Sequence, residues 1–181
     1  MRPVGLVLAA GSGERFGGPK APFEIDGRRL VDRAVTTVRA GGCDPVVVVL
    51  GAWVGEVPGA ITVVNRGWRS GMASSLQVGL SSIAAITRGD RALITLVDLP
   101  GMTPAGVRRV AESTSQLATA TYRGKPGHPV LLHQNHWVAI SSEVTGDHGA
   151  RDYLERHTSI VSRVEVGDVA DYEDLDYRNP R

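Results

Sequence analysis

A run of β-branched residues, PVVVVL at positions 45–50, limits this chain to a small set of folds. The run is typical of a strand that is covered on both faces, because it has no polar side chain to turn toward water. Strands of this kind occur in parallel sheets that lie between two layers of helices. The sequence therefore predicts a buried parallel sheet.

Apolar spacing along the rest of the chain alternates between the strand and the helix pattern. One α/β domain over residues 1–181, with a mostly parallel sheet between helices in a three-layer Rossmann-like fold, fits this order. The tail, residues 167–181, is acidic and is predicted to be a loop or a short helix. Strands are predicted at 4–9, 45–50, 60–65, 91–100, 117–122, 127–132 and 160–166, and helices at 28–42, 71–86, 103–114 and 149–157.

Two polar features follow predicted strands. The glycine-rich stretch LAAGSGERFGGPK, residues 8–20, follows the first strand, and Asp98 follows the strand LITLV. Ligands of such sheets bind beyond the carboxyl ends of the strands, so we expect the loop and Asp98 to meet at one site. Glycine turns bring backbone N–H groups close to anionic oxygens, and Arg15 and Lys20 add positive charge. An anionic ligand is the interpretation that this combination favours; a glycine-rich turn with two solvated cations is the alternative.

The loop fits neither of two common phosphate-binding patterns. A Walker A loop needs Gly-Lys-Ser/Thr, but Gly18 is followed by Pro19, Lys20 and Ala21. The dinucleotide pattern G-x-G-x-x-G begins with Gly11 and Gly13 but has Phe16 at its third position.

Several polar residues later in the chain fit either a ligand-binding role or a structural role. Asn65, Gly71 and Ser75 flank a predicted helix start, where anions bind, although an N-cap with a packed Trp68 explains them equally well. Met72 and Leu76 are expected in the core. His133 and His136 are expected at the surface, because no Cys or Glu lies at a zinc-like spacing. For Asp98 the alternative is a turn residue that caps the next helix.

Net charge and cysteine content limit the binding partners and the cellular compartment that we expect. The net charge of +1 argues against a nucleic-acid-binding surface, and no apolar run reaches the ~20 residues of a membrane span. The single cysteine, Cys43, excludes an intramolecular disulfide framework. We therefore expect a cytoplasmic protein that binds neither nucleic acid nor membrane.

The full loop resembles the signature loop of nucleotidyltransferases with a MobA-like fold. Four further blocks resemble that family in the same order: NRGWRSGMASSLQVGL at 65–80, LVDLPGMTP at 96–104, GHPVLLHQNHW at 127–137 and TGDHGARDYL at 145–154. The resemblance therefore covers most of the chain. Ala9-Ala10-Gly11 and the later blocks resemble the molybdenum cofactor cytidylyltransferase branch.

The resemblance implies a nucleotidyltransferase fold and specific roles. Arg15, Lys20 and Asp98 would be catalytic, with Asp98 holding Mg²⁺ and the two cations offsetting phosphate charge. The acceptor, a phosphorylated pterin, would contact His128, Asp147, Gly149 and Arg151, with a purely structural role as the alternative for His128. CTP would be bound by Leu8, Ala9, Ala10, Gly11, Ser12, Gly13, Asn65, Gly71 and Ser75.

Several alternatives stay open at this stage. The nucleotide is CTP or GTP, and the acceptor is the molybdenum cofactor or a sugar or polyol phosphate. A nucleotide-binding module without catalysis is a further hypothesis. A molybdoenzyme or its maturation chaperone is the partner that the resemblance implies. Ala170 stands where the family often has a second acidic residue, which leaves a second metal ligand undefined.

Overall fold

A computed structural model describes residues 2–176, within which a seven-stranded sheet forms the centre of the molecule. The order of its strands is β5-β4-β1-β6-β8-β7-β9, and β2 and β3 form a separate short hairpin. The strands are β1 Val4–Ala9, β2 Glu24–Ile25, β3 Arg28–Arg29, β4 Val46–Leu50, β5 Ile61–Val64, β6 Arg91–Leu96, β7 Leu117–Tyr122, β8 Lys125–His133 and β9 Val161–Glu165.

Five α-helices connect these strands over the described range. They are α1 Leu30–Ala40, α2 Met72–Ile86, α3 Pro104–Ala111, α4 Trp137–Glu143 and α5 Arg151–Arg156, with single 3₁₀ turns at Trp68–Ser70 and Gln134–His136. The predicted strands of the sheet and the four predicted helices are confirmed. Sequence reasoning missed α4 and the β2–β3 hairpin, because both are too short to show a clear apolar period.

The sheet is mostly parallel, as predicted. Strands β5, β4, β1 and β6 run parallel to one another, and β7 is parallel to β9. Strand β8 is antiparallel to both β6 and β7. The carboxyl ends of β1 and β6 therefore meet at one edge, where the glycine loop and Asp98 leave the sheet.

Each face of the sheet has its own apolar core, which explains the valine run. Val46, Val48 and Leu50 of β4 pack in a cluster with residues of α1 and α3. Val47 and Val49 point to the other face, into a cluster with residues of α2, α4 and α5. Alternate side chains of a strand point to opposite faces, so a strand covered on both sides has to be apolar throughout.

The start of α3 follows the local sequence signal. Thr103 Oγ1 accepts a hydrogen bond of 3.1 Å from the Gly106 N–H, and Pro104 occupies the first helical position. An N-cap threonine followed by proline predicts such a start, and the structure confirms it.

The segment after β9 returns across the carboxyl ends of the strands. Asp171 N donates to Gly101 O over 3.0 Å, and Leu175 N donates to Asp98 O over 3.1 Å. Residues 166–176 form neither helix nor strand, and residues 177–181 of the predicted tail lie outside the described residues. Among residues 2–176, none of the helices has the length and apolar character needed to cross a bilayer.

Candidate functional site

The glycine loop after β1 closes on itself through backbone hydrogen bonds. Gly13 O accepts from Gly17 N over 2.8 Å and from Gly18 N over 3.0 Å. Gly13 has a φ of +61°, and a Cβ added there would lie 2.0 Å from Gly18 O. Only glycine fits this position without moving the loop. At Gly11, by contrast, an added Cβ would meet no atom within 4 Å.

Phe16 explains why the loop departs from the dinucleotide pattern. Its side chain is 3% exposed, and its ring meets the ring of Phe23 edge to face at 4.8 Å. The position therefore anchors the loop to the core. A glycine there would leave this space empty.

A cavity of about 780 Å³ lies between the glycine loop and the start of α2, and we call it the loop cavity. It is also lined by Trp68, Met72 and Asp176. Ala9 and Asn65 do not line it: Ala9 packs in the core under α1, and the Asn65 side chain is buried. The predicted site residues that line the loop cavity are Leu8, Ala10, Gly11, Ser12, Gly13, Arg15, Lys20, Gly71, Ser75 and Asp147.

Asp98 and Lys20 form an ion pair beside the loop cavity. Lys20 Nζ lies 2.7 Å from Asp98 Oδ2 and 3.9 Å from Asp176 Oδ1. Arg15 is more exposed and lies 3.5 Å from the same Asp176 oxygen. The second carboxylate oxygen, Asp98 Oδ1, is buried and has no hydrogen-bond partner within residues 2–176. A buried carboxylate oxygen without a partner is energetically costly unless a ligand satisfies it.

Asn65 organises the segment that leads into α2. Its amide nitrogen donates to Ser74 Oγ over 2.8 Å and to Ser75 Oγ over 3.0 Å. Its amide oxygen accepts from Gly67 N over 2.9 Å. The Asn65 side chain therefore supports the wall of the loop cavity rather than lining it, while Ser75 keeps its hydroxyl proton for another acceptor.

The N-terminus of α2 is occupied by the segment before α5. Met72 N donates to Asp147 Oδ1 over 3.1 Å, and Ala73 N donates to Gly146 O over 2.9 Å. Gly71 has a φ of +103°, and a Cβ there would lie 2.4 Å from Gly146 O. The Asp147 carboxylate therefore caps α2 on the side of the loop cavity, apart from the other three residues predicted to contact the acceptor.

A second cavity of about 470 Å³ lies on the face of the sheet between α2 and α5, and we call it the sheet-face cavity. His128, Gly149 and Arg151 line it, so three of the four predicted acceptor residues lie together. Leu8 and Met72 line both cavities, which therefore adjoin. Two ligands bound in the two cavities would meet at this boundary.

His128 lines the sheet-face cavity and is neutral at neutral pH. Burial lowers its pKa to about 4, and the nearby Asp98 carboxylate opposes this shift only in part. Its Nδ1 lies 3.3 Å from the Tyr172 hydroxyl, and the Tyr122 hydroxyl donates to its carbonyl oxygen over 2.7 Å. A neutral imidazole offers hydrogen bonds to a ligand without adding positive charge.

The C-terminal segment supplies residues that sequence reasoning missed. Tyr172 lines the sheet-face cavity and packs against Gly127, where an added Cβ would lie 2.9 Å from its ring. Asp176 lines the loop cavity. Lys125 and Arg163 line the sheet-face cavity and were also missed, because neither belongs to a recognisable motif. No local signal marks these positions.

His133 and His136 were both expected at the surface, and both are half-buried. Of His136, Nδ1 lies 2.8 Å from the Tyr153 hydroxyl and Nε2 lies 3.0 Å from Gln116 Oε1. In the part of the chain that the structure describes, no three His, Cys, Asp or Glu side chains converge as a metal cluster.

The fold and its cavities define an α/β nucleotidyltransferase: a mostly parallel sheet with a glycine loop at the carboxyl end of its first strand and two adjoining cavities. The chain belongs to the family of the MobA-like NTP transferase domain, whose profile matches residues 5–161.

Known proteins resemble the chain over nearly its whole length. It is 37% identical to a nicotine blue oxidoreductase from Paenarthrobacter nicotinovorans, over 96% of this chain and 91% of that protein. The crystal structure of Rv0371c from Mycobacterium tuberculosis H37Rv superimposes with a TM-score of 0.82 at 24% identity, covering 98% of this chain and 93% of the other. A complex of Rv0371c with manganese gives a TM-score of 0.76 at 22% identity, covering 97% and 92%.

Proposed function

We propose that the protein transfers a nucleoside monophosphate from a nucleoside triphosphate to a phosphorylated acceptor and releases pyrophosphate. The triphosphate would bind in the loop cavity and the acceptor in the sheet-face cavity. The observation that carries this proposal is that Asp98, which lines neither cavity, lies near a residue of each. Its carboxylate pairs with Lys20 of the loop cavity and influences the pKa of His128 in the sheet-face cavity.

The residues around Asp98 fit a divalent cation held partly by the substrate. Mg²⁺ is commonly held by one or two carboxylates together with phosphate oxygens, and Asp98 Oδ1 is a buried oxygen that lacks a partner among the described residues. Asp176 brings a second carboxylate to within 3.9 Å of Lys20 Nζ. When bound, Mg²⁺ would neutralise charge on the triphosphate. The manganese complex of Rv0371c supports a divalent ion in this fold.

The chain's own groups would align the reactants and offset charge. An oxygen of the acceptor phosphate attacks the α-phosphorus, the bond from that phosphorus to the bridging oxygen breaks, and pyrophosphate leaves. Lys20 and Arg15 line the loop cavity where negative charge accumulates on the leaving group. Backbone N–H groups of residues 11–13 would contact the phosphates. This mechanism uses no nucleophile from the protein and relies on alignment.

We further propose CTP as the nucleotide and the molybdenum-bearing pterin as the acceptor. The loop and the block around Gly149 resemble the cytidylyltransferase branch, and this resemblance is the support for both identities. GTP with the same acceptor, or CTP with a sugar or polyol phosphate, are the competing pairs. The product would pass to a molybdoenzyme or its maturation chaperone.

A pyrophosphate-release assay tests the proposal. The purified protein is incubated with Mg²⁺, either CTP or GTP, and each acceptor class in turn. Release that depends on both Mg²⁺ and the molybdenum-bearing pterin, and that is faster with CTP, would support the full proposal. Mg²⁺-dependent nucleotide binding without release for any acceptor would favour the non-catalytic module.

A second candidate function is the reduction of an organic dye, which the 37% identity to a relative named nicotine blue oxidoreductase, over 96% of this chain, favours. The glycine loop does not fit the G-x-G-x-x-G pattern, so no dinucleotide is assigned to the loop cavity. Reduction of an added quinone dye that requires both the protein and an added two-electron reductant would support this function. The same rate of reduction without the protein would count against it.

A further inference from the structure

The floor of the sheet-face cavity is a straight row of four side chains. Ile94 of β6 pairs with Val130 of β8, Val130 pairs with Thr119 of β7, and Thr119 pairs with Arg163 of β9. Cross-strand partners point to the same face of a sheet, and all four line the cavity. Three strand spacings make the row about 14 Å long.

Polarity along this row changes in one direction. Ile94 and Val130 are 3% and 7% exposed and offer only apolar surface. The hydroxyl of Thr119 already donates to Gly127 O over 2.9 Å, so it needs no ligand. The row ends at the exposed guanidinium of Arg163. The long side walls, Leu76 of α2 and Leu154 of α5, are apolar as well.

The charged groups around the cavity leave two cations without partners. Arg151 Nε pairs with Glu155 Oε1 at 2.8 Å, so these two charges offset each other. Within residues 2–176 neither Arg163 nor Lys125 has an acidic partner. The acidic group closest to Arg163 along β9 accepts hydrogen bonds from other residues.

That acidic group is Glu165, two residues from Arg163 on the same face of β9. Its carboxylate accepts hydrogen bonds from Arg123 N over 2.9 Å, Gly124 N over 3.1 Å and the Thr121 hydroxyl over 2.9 Å. These donors hold the pKa of Glu165 at about 2, so it stays charged and committed to the β7–β8 turn. Arg163 is therefore available to a ligand.

We propose that the sheet-face cavity binds an elongated ligand that places apolar surface on this row and carries an anionic group at the end near Arg163. The apolar floor and walls disfavour a sugar or polyol phosphate, which is polar along its length, because buried polar groups without partners are costly. A pterin can meet the floor with the face of its ring. The guanidinium of Arg163 selects a negative charge at the β9 end. This inference rests on the proposed function only in treating this cavity as the site of the second substrate.

Two matched fluorescent probes test the inference. 1-Anilinonaphthalene-8-sulfonate has an apolar ring system with one sulfonate, and N-phenyl-1-naphthylamine is the same molecule without it. Each is titrated against the protein and against Arg163→Gln and Leu154→Gln. Arg88→Gln is the matched control, since Arg88 is exposed and lines neither cavity. Thermal unfolding of each variant verifies that it is folded.

The expected pattern separates charge from apolar burial. Arg163→Gln should weaken binding of the sulfonate probe about tenfold and binding of the neutral probe less than twofold. Leu154→Gln should weaken both, and Arg88→Gln neither. Equal effects of Arg163→Gln and Arg88→Gln on the sulfonate probe, or no saturable binding of either probe, would overturn the inference. Binding of CTP with Mg²⁺ is measured separately, so a failure of the proposed nucleotide chemistry leaves the probe result interpretable.

Discussion

Lys20 Nζ lies 2.7 Å from Asp98 Oδ2, so the cation of the glycine loop is paired with the carboxylate that follows β6. The two side chains are only 14% and 17% exposed, so solvent screens the pair less than it screens a surface ion pair. In the free protein the two charges balance each other. Each partner is also a candidate contact for a nucleotide and its metal ion.

We expect Asp98→Asn to abolish metal-dependent transfer. Asparagine keeps the shape but removes the charge that would hold the ion, so pyrophosphate release should fall at least about 100-fold. Nucleotide binding in EDTA should tighten, because Lys20 loses its competing carboxylate. Calorimetry and the release assay measure the two effects.

The matched control is Asp90→Asn, which changes the same charge at the opposite end of β6. Asp90 lies 3.9 Å from His133, which lines neither cavity, whereas Asp98 pairs with Lys20 of the loop cavity. Activity of Asp98→Asn close to that of Asp90→Asn would rule out Asp98 as the metal ligand.

Two glycines of the loop should respond differently to alanine. Gly13→Ala places a Cβ 2.0 Å from Gly18 O at a φ of +61°, so it should cost more than about 1 kcal/mol of unfolding free energy. Gly11→Ala meets no atom within 4 Å in the free chain and should change stability by less than about 0.5 kcal/mol.

The affinity for the nucleoside triphosphate is the second quantity to measure for the two glycine variants. If phosphates approach the backbone at Gly11, the new methyl group occupies their space and the Kd for the triphosphate should rise about tenfold or more. Denaturant unfolding and calorimetry give the two quantities. Unchanged affinity in Gly11→Ala would exclude close phosphate contact at this residue.

Asn65→Ala should destabilise the protein without a direct effect on ligand contacts. The buried amide makes three hydrogen bonds, to Ser74, Ser75 and Gly67. Their loss should cost about 2–3 kcal/mol in urea unfolding. Asn135→Ala, at an exposed position, is the control and should be neutral. Equal stability of the two variants would show that the Asn65 network contributes nothing.

His128 should make stability depend on pH between about 6.5 and about 4. Burial lowers its pKa from 6.5 to about 4 in the folded protein, so the folded state binds fewer protons than the unfolded state in this range. Stability from this group is complete above the unfolded pKa and is lost as pH falls toward the folded pKa. The slope cannot exceed about 1.4 kcal/mol per pH unit for one proton.

Urea unfolding of His128→Gln across this range measures the contribution. The variant should lose less stability on acidification than the unmodified protein. Parallel curves for the two proteins would contradict the pKa assigned to His128.

Sequence patterns predicted where the site lies but not which of its residues contact each other. The glycine loop and Asp98 were expected at one edge because both follow strands, and residues 8–20 do lie beside Asp98. The pairing of Lys20 with Asp98 was not expected, and neither was the position of Asp147 at the start of α2. These contacts join residues that are 78 and 75 positions apart, where no local pattern carries information.

The sequence by itself determined the strands, most of the helices and the end of the sheet that carries the loop, because apolar periodicity and turn residues act over a few neighbours. Only the tertiary structure decided which charges are paired. In it, Arg151 pairs with Glu155 and Glu165 accepts hydrogen bonds from the β7–β8 turn. Arg163, at the end of an apolar row, has no acidic partner within residues 2–176. Register between strands sets those distances, and register depends on packing of the whole sheet.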